Sequence, residues 1–155
     1  MRQGDMGVSL VEMMGVIAIG SIVTALAVPN FSAIRETYRL RGATQEIFIT
    51  LQGARMAAVR ENNRQRFYLV GNTYVVHNDL NNNGIEDTGE PKSQKNIQWN
   101  AHGVSLAGMS AASALTFLQN GTAIITGGIS AITVTNASGD QKMILVSPGG
   151  RIHIN

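Results

Sequence analysis

The chain has 155 residues, with 12 basic against 10 acidic, and no cysteine. That length suits about one domain, the near-neutral balance excludes a nucleic-acid-scale positive surface, and the missing cysteine excludes disulfides, thiolate metal sites and thiol nucleophiles. Aromatic residues are sparse at 5% while the apolar share is 44%, a composition that suits an ordered fold.

In chain order, a short polar segment, "MRQGDMG", sets Arg2 against Asp5. The apolar run "MMGVIAIGSIVTALAV" follows over residues 13–28. Counted from Val8 it is long enough to span a bilayer as a helix. Glu12 stands inside it without a basic neighbour, where a charge near a bilayer centre costs roughly 2.5–3.5 kcal/mol. A secretory signal would bring a basic start, a shorter apolar core and an Ala-x-Ala exit. Ala25-Leu26-Ala27 meets the last condition, but the run is too long and carries Glu12. Pro29 removes one helical hydrogen bond where the apolar half ends.

Beyond Pro29 an amphipathic helix is predicted. Leu40, Ala43, Ile47, Leu51, Ala54 and Ala58 recur at three- and four-residue steps, and Arg35, Glu36, Arg39, Gln45, Glu46, Gln52 and Arg60 mostly take the other face. The helix should stop near Asn62-Asn63. From Val8 to Glu61 it would be about 80 Å long at roughly 1.5 Å per residue.

Short strands are predicted after it: "RFYLV" and "TYVVHN", joined by Gly71-Asn72 as a hairpin, then "NIQWN", "VSLAG", "ALTFL", "AIIT", "SAITVTN", "KMILVS" and "RIHIN". A helix followed by antiparallel strands makes an α+β fold. Residues 1–7 then stand apart as a short polar segment, 8–28 as the apolar, membrane-length half of the helix, 29–62 as its amphipathic half, and 63–155 as a β-rich head.

Residues 79–90, "DLNNNGIEDTGE", match the EF-hand loop template. The side chains of Asp79, Asn81, Asn83, Asp87 and Glu90, with the Ile85 carbonyl, would offer oxygens suited to a weakly held Ca²⁺. Strand-like residues precede the loop and Pro91 follows it, so the alternative is an Asx-rich loop bonded to its own backbone. Arg55, Arg60, Arg64 and Arg66 cluster around the helix exit, while Arg151 and His153 share one face of the last strand. A solvated helix end and strand edge is the ordinary reading of these cations, since no aromatic is interleaved to stack bases. His77, His102 and His153 lack metal-ligand spacing, no serine sits in Gly-x-Ser-x-Gly, and no catalysis is expected.

Gly7, the following "VSLVE", the apolar helix and Pro29 together resemble a type IV prepilin leader. "NFSAIRETYRLRGATQEIFITLQGARMAAVRENNR", "LTFLQNGTA" and the closing "ILVSPGGRIHIN" extend the resemblance along the whole chain to the GspH/FimT family of minor pilins and type II secretion pseudopilins. The resemblance implies a pilin-like fold, with the long helix packed on an antiparallel sheet domain. It implies cleavage of Gly7–Val8 by a prepilin peptidase and methylation of the new amine, although family members usually begin with Phe or Met. It implies storage in the bacterial inner membrane with the head in the periplasm, then assembly with other pilins or pseudopilins into a helical filament.

In such a filament Glu12 would pair with the terminal ammonium of a neighbouring Val8; in a membrane-stored monomer it would snorkel to the interface. DNA-binding members carry a terminal Gly-Arg-x-Arg. Here the segment reads Gly150-Arg151-Ile152-His153, and a mostly neutral histidine weakens the phosphate-neutralising term. Three functions therefore stand: a structural and assembly-priming subunit, a DNA-binding tip subunit, and an ordinary secreted β-rich protein.

Overall fold

The computed structural model describes residues 7–97, 103–128 and 130–155, with the backbone alone over 26–33. The chain divides into two units, Met1–Arg35 and Glu36–Asn155. One helix, α1, spans Leu10–Glu61. Its start is closed by the Ser9 carbonyl, which accepts from the amides of Glu12 and Met13 at 3.0 and 3.1 Å. It ends where expected: Asn62 takes φ 55°, a left-handed conformation that asparagine tolerates after a helix.

In the first unit, every described side chain from Val8 to Ala25 is exposed, and most are aliphatic. The hydroxyls of Ser21 and Thr24 donate back to the Ala18 and Gly20 carbonyls at 2.8 Å each. Such back-bonding lets a polar residue sit on an apolar helix without a stranded donor. Among the described residues no helix is long and apolar enough to cross a membrane. The expected span reaches residues 26–28, whose side chains lie outside the description, as does the ring of Pro29.

In the second unit, the six apolar residues predicted for one face of α1 are the ones the structure buries, each at most 5% exposed. They pack on two antiparallel sheets. The first contains β1 (Arg64–Val70), β2 (Thr73–Asp79), β3 (Lys92–Asn96), β5 (Leu115–Phe117) and β6 (Ala123–Ile125), in the order β3-β2-β1-β5-β6. The second contains β4 (Ser105–Ala107), β7 (Ala131–Thr135), β8 (Gln141–Val146) and β9 (Ile152–Ile154), in the order β4-β7-β8-β9. Phe67, Leu115 and Phe117 of the first sheet and Ile132, Val134 and Ile144 of the second meet Ile47 and Leu51 of the helix in one core.

The β1–β2 hairpin turns on Gly71-Asn72, with Val70 opposite Thr73. Gly71 has φ 59° while Asn72 does not share a positive φ, which fits the II′ turn. Asn72 then reaches both sheets: its carbonyl accepts from the Ile97 amide at 3.1 Å, and its side-chain oxygen from the Leu106 amide at 2.9 Å.

One strand lies elsewhere than predicted. "NIQWN" was expected, but the strand is Lys92–Asn96, and residues 98–100 of that stretch fall outside the description. All five β3 side chains are exposed, so the strand exists through its backbone ladder to β2 and carries no hydrophobic signature.

Candidate functional site

Three places gather the residues that the sequence singles out. At the first, Gly7 and Val8 precede the helix and Glu12 lies in its first turn. Val8 is 66% exposed, Leu10 77% and Val11 75%, and the Glu12 carboxylate has no partner among the described residues. A lone carboxylate on an aliphatic surface is costly to bury unpaired, and it fixes register when a cation meets it.

The second is the 79–90 loop between β2 and β3. Asp79 is fully buried, and its two carboxylate oxygens accept from the amides of Asn83 and Gly84 at 3.1 and 2.7 Å. The side-chain oxygens of Asn81 and Asn83 accept from the amides of Asn83 and Ile85. Their amide nitrogens both donate to one oxygen of Asp87, at 2.7 and 2.6 Å. Glu90 closes the loop, accepting from Leu80 and Asp87 amides and lying 2.8 Å from Nε2 of the buried His77.

Such bonds hold the carboxyls of Glu86, Asp87 and Glu90 below the usual carboxylate range. The Asn81 and Asn83 amides do so for Asp87, the Asp87 amide foremost for Glu90, and the Lys92 ammonium and Tyr68 hydroxyl for Glu86. Burial, reinforced by Glu86, pushes the Tyr68 phenol up to about 12.

A calcium ion asks for six to eight oxygens, roughly. Here both asparagines turn nitrogen toward Asp87, and among the described residues no three His, Asp or Glu side chains form a metal-holding group. An ion at this place would require both amides to reverse.

The third place is basic. The arginines around the helix exit separate: Arg64 lies against Gly84 of the loop, and Arg66 donates to the Ala111 carbonyl. Arg55 and Arg60 instead join Arg151 around a groove between α1 and β9, an association of distant residues that no spacing announces. Arg55 Nε donates to the Gly121 carbonyl at 2.8 Å. His153 is exposed beside Arg151 on the outward face of β9, while Ile152 and Ile154 pack against the core.

Residues 43–150 match the model of a family described as type II transport protein GspH. Two crystal structures of the Pseudomonas aeruginosa type IV minor pilin FimU share the fold. One is 20% identical, covers 77% of this chain and 90% of that one, and has a TM-score of 0.54. The other is 18% identical, covers 74% and 91%, and has a TM-score of 0.51. No curated protein matches the chain.

Proposed function

Since the chain belongs to the GspH family of type II transport proteins, we propose that it is stored as a single-pass inner-membrane protein, head in the periplasm, and then drawn into a filament. The family makes it a minor pilin or pseudopilin, a structural and non-enzymatic protein that assembles with other pilins at the membrane or in the filament. The ordinary secreted protein drops out with that membership.

The observation that carries the finer reading is Glu12, without a partner among the described residues, on a helix surface that is mostly aliphatic. Prepilin peptidase would cut Gly7–Val8, and Glu12 would then meet the new ammonium of a neighbouring subunit. Mass spectrometry of the mature chain should find a methylated Val8. Glu12→Ala should insert into membranes normally yet enter filaments poorly. A chain beginning at Val28, or a variant that assembles as well as the parent, would overturn the reading.

The 79–90 loop is read as a self-bonded turn that fixes β2 to β3, with Ca²⁺ as the ligand its donor types would suit once both amides reversed. DNA binding at Arg151 and His153 is the weaker reading, because among the described residues no aromatic ring lines the groove beside Arg151 for a base to stack on.

A further inference from the structure

The groove between α1 and β9, about 510 Å³, is not used by the Glu12 pairing and is built more deliberately than a solvated helix end. Arg55 and Arg60 come from the last turns of α1 and Arg151 from the residue before β9, and among the described residues no acidic one lines it. Its floor is aliphatic: Met56 is 66% exposed and Val59 51%, with Ile152 beside them.

Two of the guanidiniums are available. The Nε bond to Gly121 fixes Arg55, and its terminal nitrogens have no hydrogen-bond partner among the described residues. The Arg151 side chain has none either, whereas Arg60 is engaged by Glu61 at 2.7 Å. A held guanidinium is a planar fork that matches a carboxylate or phosphate. The surroundings decide between those two. Among the described residues no aromatic ring lines the groove for a base to stack on, while methionine, valine and isoleucine offer aliphatic contact. Ile49, 60% exposed, lies two turns before Met56 on the face of α1 opposite the buried stripe, with Gln52 between them, so apolar and polar side chains alternate beside the groove as on a surface that meets protein side chains.

We propose that this groove docks an acidic segment, with aliphatic residues interspersed, of a neighbouring filament subunit. The proposal rests on the filament role and adds the surface through which the head takes part. Its charge complementarity places carboxylates on Arg55 and Arg151 and aliphatic side chains on Met56 and Val59.

The test uses the full chain in detergent micelles and a fluorescein-labelled peptide of alternating leucine and glutamate, followed by anisotropy. Saturable binding is expected, weaker by about tenfold in Arg55→Gln and in Arg151→Gln and less affected in Arg60→Gln, and weaker at high salt. Among the described residues the Arg151 side chain makes no hydrogen bond, so its variant reports on binding even where Arg55→Gln unfolds. Absence of peptide binding, binding indifferent to both substitutions, or tighter binding of a single-stranded DNA of equal charge would overturn the proposal. Because the readout is on isolated protein, its failure is separable from normal or defective filament entry of Glu12→Ala.

Discussion

A methyl group at Gly150 would lie 2.0 Å from the Gly121 carbonyl oxygen and 2.9 Å from Arg55 Nε. The residue also holds φ 77°, which L side chains rarely adopt. Both facts serve one contact, the bond that aims Arg55. Gly150→Ala should therefore lower stability by about 2 kcal/mol or more, read by urea unfolding, and should loosen peptide binding in the groove. Gly149→Ala is its control, with its nearest neighbour at 4.0 Å and no positive φ; a change within about 0.5 kcal/mol is expected. Equal losses in the two variants would refute this account of Gly150. From the sequence alone "SPGGR" reads as a turn before a strand. That one of its glycines makes room for an arginine far back in the chain is a tertiary fact, visible only once α1 and β9 lie side by side.

Among the elements, the second half of α1 was the most legible, because its six core residues keep helical spacing and all are buried. β3 was the least legible: polar at every position, it is held by its ladder to β2, and hydrophobic periodicity cannot announce such an edge. The loop joining β2 and β3 was half legible. Its donor types stood out in the template, but whether they face an ion or one another depends on amide orientation, which sequence does not encode. With the loop satisfied by its own N–H groups, adding Ca²⁺ in place of a chelator should move the thermal midpoint by less than about 1 °C. A rise of several degrees would assign the ion to it.

The loop's pH response follows from its lowered carboxyls. A group whose folded pKa lies below its unfolded one contributes stability fully above the unfolded value and loses it as pH falls through the folded value. The unperturbed values for Glu86, Asp87 and Glu90 are 4.5, 3.8 and 4.5, so the contribution should fade as acid is added below about pH 4.5. Tyr68 works at the other end, since its raised phenol stabilises below pH 10 and ceases to as pH climbs toward about 12. Urea midpoints measured across both windows should fall at each margin; a flat acid limb would contradict the bonding described for the loop.

For the whole molecule, the order of elements was readable where patterns are local: a helix first, then short strands with glycine-rich punctuation. The division of those strands into two sheets was not, because it depends on which edges meet across the core. β5 joins β1 while β4 crosses to β7, and strands of three residues carry too little sequence to specify such choices. Asn72 shows what the arrangement entails. A single hairpin tip grips the backbone on either side of the passage from one sheet to the other, at Ile97 and at Leu106. The crossing is thus clasped at a point made early in the chain. Both layers therefore share a single anchor, and a substitution there would slacken the two sheets together instead of one alone.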